Sequence, residues 1–295
     1  MPAPSPGPGG SPGQLRAGRS AAALRWMRGN PLSVAGSAIV LVLVVLAVGA
    51  PLLPLENPVR MNVARRFTPP DRGHWFGTDH LGRDILSRIV YGARPSLRTG
   101  ALTILLAGGP GVFLGIAGAM APPRVAALVM RLLDVLMSFP PLLLAVAVAA
   151  ALGTGGRSIV TALTVVYLPR IARLTRGIAL AVLTQEYVTA ARALGASGRR
   201  ILARAVLPNC VSVVVVQSSL YFAEVLLAEA ALSFLGLGEA PPAPTWGSML
   251  YEAQKNMRNA PWIAIFPGSA IAFAVFGLNL FGDAVRDAMD PRLRT

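Results

Sequence analysis

The chain is 295 residues long, 54% hydrophobic and only 14% charged, whereas a soluble domain carries about a quarter charged residues. So much apolar surface with so little charge points to a protein that lives in a bilayer. The formal charge of +14 does not indicate a nucleic-acid binder, because aromatic residues make up 6% and the arginines fall between apolar runs and not along one face. The single cysteine, Cys210, excludes an intrachain disulfide and a multi-cysteine metal site.

In chain order, residues 1–30 begin MPAPSPGPGGSPGQLRAGRS, a Pro, Gly and Ser composition that suits a disordered cytoplasmic tail. Arg16, Arg19, Arg25 and Arg28 follow without an acidic neighbour, and an apolar run starts at Pro31. AVGA at 47–50 resembles a signal-peptide cleavage site. The apolar run is too long for a signal h-region, however, so it reads as a retained helix. Six spans are predicted by apolar length: Ser33–Leu53, Gly100–Met120, Phe139–Leu152, Ile159–Ile171, Asn209–Leu235 and Trp262–Phe281. The third and fourth are short and need flanking turns to cross, with Pro140, Pro141 and Pro169 at their edges. The fold class expected is therefore an all-α polytopic membrane protein. Its organisation would be the tail (1–30), a first helix with an outer loop (31–98), and a five-helix core (99–295).

Six spans put both termini on one side. That side would carry about 16 of the Lys and Arg residues against about 11 on the other, which places the termini and the 170–208 segment in the cytoplasm. Within the first outer loop, GTDHLGRD reads as a helix start, with Thr78 or Asp79 as cap and Leu81, Ile85 and Ile89 as an apolar stripe. His74, Asp79, His80 and Asp84 cluster there, but their spacing fits no tight metal-ligand template. Trp246 and Trp262 bracket the last outer loop as interfacial anchors. Asp283, Arg286 and Asp287 read as a solvated helix end.

No catalytic signature is present. A Walker loop is excluded because Lys255 is the only lysine, and HExxH, CxxC and GxSxG are missing. Glu224 and Glu229 lie inside the fifth span, where acids face a water-filled cavity or a partner; with Ser218 they are the candidates for a translocation path. Arg170, Arg173 and Arg176, spaced by three, read as contacts to headgroups or to a partner.

The most informative stretch is EYVTAARALGASGRRILARAVLPN, from Glu186 to Asn209. Good helix formers run to Leu194, Gly195 suits a left-handed C-cap, and Ser197 caps a second helix that Pro208 would end. Val188, Ala191 and Leu194 share a face, with arginines on the polar sides. Such a small-residue helix suits either an anionic lipid surface or a partner's groove. The stretch resembles the EAA loop of permease subunits of ABC importers, through Ala190-Ala191, Gly195 and Leu207-Pro208. The motifs FGTDHLGRDILSRIVYGARPSL, RLLDVLMSFPPLLLA, ALSFLGLG, PPAPTWGSML and NLFGDAVRDAMDPRLR follow in order, and together they are similar to the dipeptide/oligopeptide/nickel importer family over about residues 25 to 295.

That resemblance implies a type I permease with six helices and a heterodimer with a related permease in a bacterial inner membrane. It also implies two ATP-binding subunits and an extracytoplasmic solute-binding protein. ATP and Mg would be bound by the partner subunits, with no cofactor in this chain. It marks Glu186, Thr189, Ala190, Ala191, Leu194, Gly195, Arg199, Arg200, Leu207 and Pro208 as the segment coupled to an ATPase. Thr189 departs from the pattern, since it stands where the family has an acid. An ion-coupled secondary transporter is the alternative, with the buried acids as its coupling site.

Overall fold

The structure is a computed structural model that describes residues 31–289; the N-terminal tail and its four arginines, and the DPRLR of the last motif, lie outside the described residues. Its helices are α1 (Pro31–Gly49), α2 (Ile85–Met120), α3 (Pro123–Met137), α4 (Pro141–Leu152), α5 (Gly156–Leu183), α6 (Glu186–Ala193), α7 (Gly198–Ile201), α8 (Leu207–Phe234), α9 (Trp246–Ala253) and α10 (Trp262–Met289). One π-helical turn, Leu202–Val206, joins α7 to α8, so a single rod of 37 residues runs from Gly198 to Phe234. No strand occurs among the described residues.

Five segments, α1, α2, α5, the α7–α8 rod and α10, are long and apolar enough to cross a membrane. The sixth predicted span is different. At 12 residues, α4 reaches only about 18 Å, short of a hydrocarbon core of about 30 Å. It meets α3 at a 90° bend, and only together do the two have the length and apolar composition of a broken span or a re-entrant loop. The 121–138 segment, expected to be a loop, is thus mostly helix. Ala126, Met130 and Leu133 of α3 are buried, the last two against Ala172 of α5, while Val125, Leu128, Leu132 and Val135 stay exposed.

Prolines depart most from the sequence reading. Pro169 does not bound the fourth span but lies inside α5, which continues to Leu183, and Pro95 and Pro110 lie inside α2. Pro208 does not end the second helix of the loop either, because the π turn carries the chain through it. A missing N–H is tolerated where neighbouring helices and local π adjustment re-satisfy the freed carbonyl; the Asn209 side-chain amide donates to Ala205 O at 2.7 Å beside it.

The core forms where α2 packs along α5 and α8. Small residues permit the approach: a Cβ on Gly115 would lie 2.5 Å from Ala172 O and 2.6 Å from Thr175 Cβ. Gly115→Leu should therefore cost about 3 kcal/mol or more by overpacking, read as loss of the monodisperse peak in detergent. Gly108→Leu on the same helix, where a Cβ meets nothing within 4 Å, should leave that peak unchanged. Equal behaviour of the two variants would rule out this packing.

Candidate functional site

Three polar assemblies stand out along the axis of the bundle. At one end, helix α2 begins at Asp84, whose carboxylate accepts the N–H and the hydroxyl of Ser87, each at 2.8 Å. The expected cap, Asp79, does something else: it accepts the N–H groups of Leu81 (2.8 Å) and Arg83 (3.0 Å) and the Arg83 Nε at 2.6 Å. Arg83 and Arg88 both reach Glu252 on α9, at 2.5 and 3.0 Å. Their side chains are only 2% and 1% exposed, so two cations and two carboxylates form a buried quartet that clamps the first outer segment to α9. His74 binds Asp84 at 3.1 Å.

The Asp71 carboxylate accepts the N–H of His74 and of Gly73, which holds its pKa below the ordinary value. Donor atoms of Asp79, His80 and Glu252 also converge within 4.8 Å. Both carboxylates are already engaged by the two arginines, which leaves this set poorly charged for a divalent ion.

The tryptophans belong to this assembly and not to the lipid interface expected of them. Trp246 is 1% exposed and donates its indole N–H to Ile89 O at 2.9 Å, while Trp262 donates to Thr78 O at 3.2 Å. Thr245 starts α9 with a capping box, exchanging hydrogen bonds with Ser248.

In the middle of the bundle, Glu224 and Glu229 point to different sides of α8. Glu224 is exposed and accepts from Arg170 at 3.0 Å and from the Tyr167 hydroxyl at 3.4 Å, with the Arg170 guanidinium 5.1 Å from the Tyr167 ring centre. Arg170 and Tyr221 border an open cleft of about 670 Å³ between α5 and the C-terminal end of α3. Ser218, half-buried, lies below Glu224 on α8. Glu229 is buried, 3% exposed, and takes the Ser233 hydroxyl at 2.9 Å rather than an arginine.

The arginines at spacing three are likewise held by the chain itself, not left for headgroups. Arg173 pairs with Asp134 of α3, and Arg176 donates to Gly118 O at 3.1 Å. At the far end of α10, the Ser33 hydroxyl donates to Asp287 at 3.4 Å.

At the opposite end, the loop after α5 folds as its residues dictate. Helix α6 ends at Ala193, Gly195 takes φ +81°, and the Ser197 side chain accepts the Arg200 N–H. Gly195 has open space around it, so the left-handed backbone alone favours glycine there. Val188, Ile201, Ala205 and Val206 are buried beneath this elbow with Val182 and Cys210. The face shared by Val188, Ala191 and Leu194 is split by depth: Val188 is 1% exposed, whereas Leu194 at the tip is 89% exposed.

Glu186, Thr189 and Ala190 are exposed, as are Arg199, Arg200, Leu207 and Pro208. Thr189 turns its hydroxyl back to Gln185 O at 3.3 Å, so it serves its own helix. A groove of about 170 Å³ runs between α6 and α7, floored by Ala191 and Ala196 and edged by Arg200 and Arg204.

Residues 111–295 match the family described as Binding-protein-dependent transport system inner membrane component. The dipeptide transport system permease protein of Alkalihalophilus pseudofirmus is 37% identical over 273 residues, 92% of this chain and 90% of the relative. The di/tripeptide transport system permease protein of Pseudomonas aeruginosa is 45% identical, covering 74% of this chain and 72% of its own length. The glutathione transport system permease protein of Pectobacterium atrosepticum is 41% identical, over 90% and 88%. Among solved structures, a chain of the MetNI methionine ABC transporter in inward facing conformations superposes with a TM-score of 0.60 at 18% identity, over 70% of this chain and 98% of its own. That likeness concerns the fold, a type I importer permease of membrane-crossing helices. With the buried clamp, the crossing helices and the elbow all in place, the chain belongs to the family of inner membrane components of binding-protein-dependent transport systems, as a permease subunit of an ABC importer.

Proposed function

We propose that the chain forms one half of an inward translocation path for peptides or related small solutes. It would pair with a related permease, receive its solute from an extracytoplasmic solute-binding protein, and draw on ATP and Mg held by two ATP-binding subunits. Both termini then lie in the cytoplasm, on the side of the α6 elbow, as the arginine bias supports.

The observation that carries this reading is the elbow: a small-residue helix with an exposed leucine at its tip, joined by the tight Gly195 turn to a membrane-crossing rod that starts at Gly198. Motion of an ATPase docked at Ala190, Ala191 and Leu194 would be passed directly to α8. The test is reconstitution of the chain with its partner subunits and binding protein in liposomes, with labelled dipeptide outside. Uptake that needs ATP inside supports the reading; uptake without ATPase subunits defeats it.

The ion-coupled alternative is distinguished by Glu224. Its carboxylate is held by Arg170 at 3.0 Å and by the Tyr167 hydroxyl at 3.4 Å, which supports an ion pair that fixes α5 against α8. The pair is partly exposed, 27% and 52% at the two side chains, and is worth at most about 1 kcal/mol. Glu224→Gln should accordingly change ATP-driven uptake less than about tenfold. Complete loss of uptake with a normally assembled complex would favour ion coupling instead.

A further inference from the structure

The first half of α2, the start of α5 and the connection after α8 border a half-open cavity of about 530 Å³, which neither the clamp nor the Glu224 cleft includes. Its size lies within the roughly 300–1,000 Å³ usual for small-ligand pockets. Arg98 of α2, Arg157 at the start of α5 and Glu239 beyond α8 all line it. The connection is fastened there by the Gly155 N–H, which donates to Leu237 O at 3.1 Å, and the Glu239 carboxylate sits 3.6 Å from where a Cβ on Gly156 would lie.

The three charged side chains around this cavity are exposed to it. Among the described residues, the outer quartet and the Arg170, Arg173 and Glu224 side chains are all paired, yet no ion pair engages Arg98, Arg157 or Glu239. Two cations and one anion that border one open cavity, none of them committed to an ion pair, can meet an occupant that carries both signs. Between them the wall is apolar, with Leu102 and Leu106 37% and 52% exposed. Such a surface accepts varied side chains without selecting among them.

We propose that this cavity binds a zwitterionic peptide in transit, Arg98 and Arg157 receiving its terminal carboxylate and Glu239 its terminal ammonium. The inference rests on the peptide reading above and names where the permease itself holds the solute. Charged termini of one short peptide match the sign pattern, and a guanidinium pair suits a carboxylate by charge-assisted hydrogen bonding. Recognition is of the two ends common to every free peptide, which fits a path whose side-chain selection is made elsewhere.

The test is equilibrium binding of radiolabelled alanyl-alanine to the assembled transporter in nanodiscs, with the solute-binding protein left out. Unlabelled alanyl-alanine should compete, whereas N-acetyl-alanyl-alanine and alanyl-alanine amide should each compete at least tenfold less well. Glu239→Gln should erase the penalty of the acetyl group alone, and Arg98→Gln with Arg157→Gln that of the amide alone. Penalties that survive in these variants, or an absence of saturable binding, overturn the proposal. It is equally overturned if the arginines govern retention of labelled phosphatidylglycerol and not of dipeptide, or if the variants fail to assemble because the charges meet a partner subunit. ATP-driven dipeptide uptake by the wild-type complex separates the two claims: if it occurs while the cavity is silent, only this inference falls, and if it never occurs the peptide reading falls with it.

Discussion

Glu252→Ala should lower the stability of the folded chain by about 3–5 kcal/mol, because it leaves Arg83 and Arg88 buried with one carboxylate for two cations. The loss would register as a lower Tm of the purified complex and as proteolytic opening of the outer segment. The cause is desolvation: two guanidinium groups almost wholly removed from water depend on Asp79 and Glu252 for compensation. A double replacement of Arg88 and Glu252 by methionine should recover part of the loss, since it leaves Arg83 paired one-to-one with Asp79. If Glu252→Ala costs less than about 1 kcal/mol, the cluster resembles an exposed ion pair and not a buried clamp.

The second large effect is expected at the elbow. Leu194 is 89% exposed, so replacing it does not disturb the core of this chain. Burying a leucine against a partner contributes about 1.5–3 kcal/mol, a factor of roughly ten to a hundred in affinity. Leu194→Asp and Ala191→Arg should each weaken ATPase subunit retention by at least that factor and reduce uptake accordingly, while the permease keeps its Tm. Co-purification at graded salt reads the first effect and differential scanning fluorimetry the second. Gly195→Arg is less informative, because its positive φ imposes strain on any other residue irrespective of docking. Intact retention and uptake in both of the first two variants would move the coupling surface elsewhere.

Much of this architecture was legible as one-dimensional pattern. Apolar length located five crossings, and Gly195 and Ser197 marked the elbow because left-handed backbone and N-caps have residue-specific costs. What escaped was set by partners distant in the chain. The clamp joins Arg83 to Glu252 across 169 positions, and no local spacing announces that. Trp246 looked like an interfacial residue until α2 supplied a carbonyl for its indole. Prolines were read by their cost in water, which misplaced the ends around Pro169 and Pro208, since a packed membrane helix absorbs the missing donor. Helix α3 was passed over because its apolar residues serve two surfaces at once, one against α5 and one exposed. The unpaired charges at Arg98, Arg157 and Glu239 were individually unremarkable, and only their shared cavity gives them meaning.

The π turn at Leu202–Val206 has a consequence for how this protein tolerates genetic change. Along the rod the inward residues are Ile201, Ala205, Val206, Cys210 and Val214, so the spacing of four is interrupted once by a spacing of one. That extra residue shifts the angular phase of everything before it by about 100°. Deleting any single residue there would restore an unbroken α-helix and swing the elbow a quarter-turn or more away from its present bearing, with every side chain downstream still correctly packed. Length in this segment is therefore under tighter constraint than identity: many substitutions at Ala203, which is exposed, are expected to be silent, whereas loss of one codon would leave a folded permease whose handle faces the wrong way.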